Sequence, residues 1–190
     1  MFYTGIKYTS WKGSELMSTV DLTLLGALME KPLNAYEMKK IIESRNIERW
    51  IKISTPSVYK NLVKLYKKGY LDGEVVKEGE MPEKTIYTIN EKGREYFLEL
   101  MNKYSMDPGN VYVDFSAFVA NLHNVDKATG LKMIKDMQEK FRTKIHYLDM
   151  ALEHKINLPS NARSLIEVYH QMFTLFLNWS EDMKNKYENS

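Results

Sequence analysis

The sequence predicts a mainly α-helical protein with one small β-hairpin, laid out as an N-terminal winged helix-turn-helix followed by a C-terminal α-helical, coiled-coil-like dimerisation domain. Three observations predict it. Residues 18–106 read in the order helix, helix, short strand, helix, hairpin, helix; turn residues cluster at Asp107-Pro108-Gly109-Asn110; and beyond that cluster apolar residues recur every three or four positions. The expected division is therefore residues 1–17 as an extension, 18–106 as the winged domain and 107–190 as the helical domain.

With 190 residues, 44% hydrophobic and 27% charged, the chain has ordinary globular composition and enough length for a buried core. No run of about 18 apolar residues exists, so no membrane partner is expected. Residues 1–12 lack the basic-then-apolar order of a secretion signal, and the expected location is the cytoplasm. In that setting the Asn178-Trp179-Ser180 glycosylation pattern is read as chance. The chain contains no cysteine, which excludes disulfides, thiolate metal sites and cysteine nucleophiles. Its histidines (His123, His146, His154, His170) match no metal-ligand spacing, and there is no phosphate-binding glycine loop or Gly-x-Ser-x-Gly elbow. Hence no catalytic residues, metal or cofactor are predicted, and the chain is not expected to be an enzyme.

Each element has its own local cause. Ser18-Thr19-Val20-Asp21 is a polar helix start directly after Met17, an alternative first residue, and the helix runs to Lys31-Pro32, where proline ends it. Asn34 caps a second helix with Met38, Ile41 and Ile42 inward. Arg49 to Ile53 alternates enough for a short strand, with Trp50 as an anchor between helices. Ser54-Thr55-Pro56-Ser57 is a hydroxyl cap followed by proline in the first turn, and Gly69 is placed to end the third helix after Lys68. Tyr70 to Lys77 and Lys84 to Ile89 form the hairpin, and Asn90 caps a fourth helix to about Tyr104. Val111 to Leu122 is a short apolar helix, Asp126 caps a long one, and Ser160 opens the last after a break at Asn157-Leu158-Pro159.

Net charge is only +2, but ten Lys or Arg face three acids between Lys31 and Lys68, a local +7. Such a cluster attracts phosphates through Coulomb attraction and counterion release. Within the third helix, projected at about 100° per residue, Val58, Leu62 and Leu65 share one side while Ser57, Lys60, Lys64 and Lys67 share the other. One apolar and one basic face suit a helix lying in a DNA major groove. The candidate DNA contacts are Ser54, Thr55, Ser57, Tyr59, Lys60, Asn61 and Lys64 of this helix, with Asn61 placed to read an adenine edge. Tyr36 and Lys39 of the second helix join them, and Lys77 and Lys84 stand at the base of the wing loop, whose tip carries Glu78, Glu80 and Glu83.

Taken in order, Leu24-Leu25-Gly26-Ala27-Leu28, Pro32-Leu33-Asn34-Ala35-Tyr36-Glu37-Met38, Trp50-Ile51-Lys52-Ile53-Ser54, Ser57-Val58-Tyr59, Leu62-Val63-Lys64-Leu65, Lys68-Gly69-Tyr70-Leu71 and Tyr87-Thr88-Ile89-Asn90-Glu91-Lys92-Gly93-Arg94 resemble the PadR family of transcription regulators. The resemblance spans about residues 20–104. Asn34-Ala35 stands where many members carry His-Gly. It implies a repressor of a promoter with an inverted repeat and a C-terminal dimerisation domain that begins near Val113 to Phe118. Two-fold half-sites would then lie about 34 Å apart or a multiple of it. A winged helix that binds protein instead of DNA is the alternative, since fold does not fix function.

For the homodimer, the candidate seam is Leu165, Tyr169, Met172, Phe176, Trp179 and Met183, in strict 4, 3, 4, 3, 4 spacing, together with Phe115 and Phe118. A helix this apolar on more than one flank needs partners on two sides. Tyr112, Phe115, Phe118, Tyr147, Tyr169 and Phe173 could line a pocket for a small aromatic effector, although aromatics at helical spacing more often fill a core.

Overall fold

A computed structural model describes residues 13–77, 83–154 and 158–189 and divides the chain into two compact units that meet at Asn110 and Val111. The first unit runs α1 (Gly13–Glu30), β1 (Leu33–Asn34), α2 (Ala35–Ser44), a 3₁₀ turn (Ile47–Arg49), α3 (Thr55–Lys67), β2 (Leu71–Val76), β3 (Lys84–Ile89) and α4 (Glu91–Met106). Most of the extension expected over 1–17, and the wing tip 78–82, lie outside the described residues.

The helix starts predicted from caps at Asn34, Ser54, Asn90 and Asp126 are found, whereas the one predicted at Ser18 to Asp21 is not, because α1 begins at Gly13. Asn34 accepts from the Glu37 amide while the Glu37 carboxylate accepts from the Asn34 amide, a reciprocal cap that opens α2. Ser54 and Ser57 do the same for α3. At the far end of α3, Gly69 takes φ +75°, its amide donates to Tyr66 and the Tyr70 amide donates to Leu65. Only a residue free of Cβ adopts that left-handed turn without strain, and it swings the chain straight into β2.

The sheet corrects the predicted one. Arg49 to Ile53 is not a strand, because Trp50 and Ile51 both donate back to the Ile47 carbonyl and continue the 3₁₀ turn. The third strand is instead Leu33–Asn34, which pairs antiparallel with Ile86 and Tyr87 and places β3 between β1 and β2. Trp50 is half-buried. On the opposite edge of β3, β2 holds the register Leu71 to Ile89 through Val76 to Lys84.

Leu24, Leu25 and Leu28 of α1, Met38 and Ile42 of α2, Val58, Leu62 and Leu65 of α3, Leu71, Tyr87 and Ile89 of the sheet and Leu100 of α4 make one core. Asp21 sits at its margin. It was expected in a polar helix start, yet α1 begins at Gly13, so the carboxylate lies a full two turns inside the helix and is 1% exposed. Its Oδ2 accepts from Lys64 Nζ at 3.1 Å and from Tyr96 Oη at 3.3 Å. Burial, reinforced by the Asp21 charge, pushes the Tyr96 phenol up to about 12, so it remains a donor at neutral pH. Tyr70 stacks on Tyr96 at 4.5 Å and closes the network from the turn after α3.

The second unit is α5 (Phe115–Ala120), a 3₁₀ turn (Leu122–Asn124), α6 (Lys127–His154) and α7 (Ser160–Glu188), the last two packed along their lengths. Helix α5 is shorter than predicted because Val111 to Asp114 stays extended or turned, with Val111 and Tyr112 exposed. Asp126 accepts from the Thr129 amide at the head of α6. Gly130 admits the Tyr187 ring of α7, whose hydroxyl donates to the Leu122 carbonyl at 3.3 Å.

One glycine in the first unit is set by packing alone. A Cβ on Gly93 would overlap the Tyr70 carbonyl oxygen and stand 2.8 Å from Ile89 Cγ1, so α4 can dock on the sheet only without one. Gly93→Ala should therefore lower unfolding stability by about 2–4 kcal/mol despite its better helix propensity. Urea denaturation checks this, and a neutral or stabilised variant would contradict the packing described.

Candidate nucleic-acid interface

What α3 can offer a ligand depends on what its inward side consumes. Val58, Leu62 and Leu65 are buried as predicted, and so is Asn61, at 5% exposure. Its Nδ2 donates to the Ser57 carbonyl at 2.7 Å, one turn back in the same helix. Asn61 is therefore a core residue and cannot reach an adenine edge. Ser57 also turns inward on itself: its hydroxyl accepts from the Ser54 amide at 2.9 Å and donates to the Ser54 carbonyl at 2.7 Å. Lys64, expected to neutralise phosphate, ends on Asp21 instead. Taking the lysine away would leave the buried carboxylate with only the Tyr96 hydroxyl, at a cost of about 3–5 kcal/mol.

These corrections turn the outward face round the helix axis. With Val58, Asn61, Leu62 and Leu65 inward, the opposite side at about 100° per residue is Pro56, Lys60, Val63 and Lys67, all exposed. Thr55, Tyr59 and Tyr66 flank that strip towards the wing, where Tyr66 meets Tyr87 edge-on at 6.0 Å and lies against Gly73. Lys64 flanks it towards α1. Val63, 41% exposed, is absent from the sequence-level site because an apolar residue at helical spacing reads as core.

Around α3, the remaining candidates are placed unequally. Ser54 and Thr55 are exposed at the helix start. Tyr36 projects from the start of α2 with Lys40 Nζ 4.5 Å from its ring centroid, a cation held beside an exposed hydroxyl. Lys39 pairs with Glu43 at 3.4 Å, a surface i, i+4 contact that phosphate can displace. At the end of the same helix Arg45 forks onto Glu30 with two 2.7 Å hydrogen bonds, which hold the Glu30 carboxyl below its ordinary range. Lys77 is exposed and Lys84 half-buried at the base of the wing. Once the fold brings Asp21 and Glu30 against it, the basic segment carries +5 rather than +7.

In the second unit the structure divides the predicted dimer seam. Phe115 packs edge-on to Phe141 at 5.3 Å and to Phe176 at 5.1 Å and stacks on Trp179 at 5.5 Å, while Phe173 completes the cluster. Phe115 and Phe176 are thus largely occupied within the chain. Phe118, Tyr169, Met172 and Met183 are half-buried. The exposed row of α7 is Leu165, Val168, Leu175 and Trp179, with Met172 between them, a 3, 4, 3, 4 spacing. Leu175 is 64% and Val168 54% exposed, and neither was singled out from sequence. Beside this row, Val113, Phe115, Ser116, Leu175, Phe176 and Trp179 line an apolar groove of about 300 Å³. His170 meets Asp149 at 2.9 Å across α6 and α7, and among the described residues no group of three or more His, Asp or Glu is placed to hold a metal. Nor is any described helix long and apolar enough to cross a membrane.

Comparison with known proteins places this geometry. Residues 24–99 match the model of the transcriptional regulator PadR-like family. No curated protein sequence matches the chain. Among solved structures, Bacillus subtilis PadR in complex with operator DNA is similar with a TM-score of 0.74 and 17% identity over 89% of this chain and 99% of that one. The same protein in complex with p-coumaric acid gives 0.71 and 13% over 94% and 99%. The PadR-like transcriptional regulator BC1756 from Bacillus cereus gives 0.67 and 23% over 90% and 98%. At these identities the likeness is one of fold.

The two central lysines of α3 should separate cleanly. Lys60→Ala should leave the denaturation midpoint unchanged, whereas Lys64→Ala should cost about 3–5 kcal/mol by stranding the Asp21 carboxylate, with most of the loss recovered in Asp21→Asn/Lys64→Ala. Equal stability of the two single variants would refute the assignment of Lys64 to the core network.

Proposed function

We propose that the chain, whose residues 24–99 match the model of the PadR-like family of transcriptional regulators, is a dimeric DNA-binding repressor that occludes a promoter by gripping an inverted repeat. The carrying observation is the outward strip of α3, in which Lys60 and Lys67 alternate with exposed Pro56 and Val63 on a helix fixed at both ends by its caps. Such a helix enters a major groove as a rigid body. Lys60 and Lys67 neutralise phosphates, Thr55 and Tyr59 supply hydroxyl donors, and Tyr36 and Lys40 approach the backbone from α2. Lys77 supports the adjoining backbone from the wing. The operator-bound structure of the Bacillus subtilis relative supports this reading. No catalytic step is part of it, and its place is the cytoplasm.

Dimerisation follows from α7. One flank of that helix is used against α6, and the second, Leu165, Val168, Met172, Leu175 and Trp179, has the period of a coiled-coil seam and pairs with the same row of a second copy. Binding to two half-sites on one side of the duplex then requires the two recognition helices about 34 Å apart, or a multiple of that. Regulation completes the proposal: a small aromatic effector releases the operator. The residues lining the groove beside Phe115 include no charged side chain, and only the Ser116 hydroxyl and the Trp179 indole N–H are polar, so that groove suits a neutral aromatic better than a carboxylate.

Fluorescence anisotropy with the duplex upstream of the protein's own gene, against a scrambled duplex over a salt series, tests the reading. Tighter binding to the upstream duplex is expected, with a slope of about −7 in log K against log salt for roughly eight neutralised phosphates, four lysines from each subunit, reduced by about 2 in Lys60→Ala, which removes one contact per subunit. Salt-insensitive binding, or none to either duplex, would overturn it. For the dimer, Val168→Glu should sediment as a monomer with its helical circular dichroism intact; a dimeric variant would remove α7 as the seam.

A further inference from the structure

We infer that the outward strip of α3 reads thymine methyl groups, with Val63 as its specificity-determining residue; the inference rests on the DNA-binding reading above. Three polar side chains of α3 that would otherwise read bases are already spent. The Ser57 hydroxyl is engaged as both donor and acceptor with Ser54, the Asn61 amide is buried on the Ser57 carbonyl, and Lys64 is bound to Asp21. Residues Thr55 to Lys67 contain no Arg, Gln, Asp or Glu, and Asn61 is their only amide. The guanidinium fork that pairs bidentately with guanine, the free amide that pairs with adenine and the carboxylate that accepts from cytosine are therefore missing from this face, and its two outward lysines are taken by phosphates.

What remains at its centre is apolar. Val63 exposes 41% of its surface on the line of the helix farthest from the core, with Pro56 two turns before it and Tyr59 one turn before it on the wing side. Lys60 and Lys67, three residues before and four after, bracket the valine, and their long stems reach the phosphates on either side of it. A branched, apolar side chain pressed towards the floor of a major groove meets one apolar group there, the C5 methyl of thymine. Over any other base it would cover hydrogen-bonding edges without satisfying them, so the same side chain also selects against those bases.

Thymine and uracil differ by this methyl alone, and that gives the test. The full-length protein first selects its preferred duplex from a randomised pool, and each thymine of the selected half-site is then replaced singly by uracil. Affinities of wild type and Val63→Ala are compared on every duplex. At one or two positions under α3, uracil should weaken wild type about fourfold per half-site, the equivalent of one buried methyl, and should leave Val63→Ala unaffected. No thymine-to-uracil effect, or an equal effect in both proteins, would overturn the role of Val63 while leaving the repressor reading in place. Failure to enrich any duplex would strike that reading first, before uracil is introduced.

Discussion

The first unit depends on where one carboxylate goes. Asp21 lies inside α1 at 1% exposure, and a single oxygen of its side chain receives Lys64 from α3 and Tyr96 from α4. A carboxylate removed from water needs such partners. Three helices from separate parts of the chain are thereby referred to one point, and the rotation of α3 about its own axis is set with them. Because Lys64 must face α1, the strip diametrically away from the core is Pro56, Lys60, Val63 and Lys67 and no other. The interior thus decides which side chains the exterior can present.

This explains which parts of the molecule could be read from the sequence. Caps and terminators are local: Asn34, Ser54, Gly69, Asn90 and Asp126 act on amides or turns within a few residues, and each stands where its sequence context places it. Pairing partners far along the chain are not local. Leu33–Asn34 is too short to announce a strand and becomes one only beside Tyr87 and Ile86, some fifty residues on. Arg49 to Ile53 alternates like a strand and is none, because the Trp50 and Ile51 amides are spent on the Ile47 carbonyl. Asp21 looked like a helix start because its partner lies 43 residues away. In α3 the two-faced pattern was legible, but Lys64 could be assigned to the interior only by the tertiary contact that claims it, while Ser57 and Asn61 spend their hydrogen bonds within the helix's own first turns.

The helical unit shows the same division of labour within one element. Helix α7 is apolar on more than one flank, and spacing alone could not tell which flank is satisfied inside the chain. Phe115 settles it: by packing among Phe141, Phe176 and Trp179 it draws the aromatic flank inward. That leaves the aliphatic row from Leu165 to Leu175 for a separate surface. Buried polar side chains run through this unit too, with Gln138 and Ser180 both almost fully enclosed between the long helices. Polar groups at such positions restrict the ways two apolar helices can slide past each other.

The double lock at the start of α3 has a consequence for how relatives of this protein diverge. Since Ser54 and Ser57 tie the helix start to itself, and Asn61 and Lys64 tie its body to the interior, the residues that keep the helix in place are different from those that project from it. Thr55, Pro56, Tyr59 and Val63 can change without loosening the scaffold. On the DNA-binding reading proposed above, a duplicated copy of the gene could drift to a new operator by a handful of substitutions at these positions, and a designer could retarget the protein along the same route.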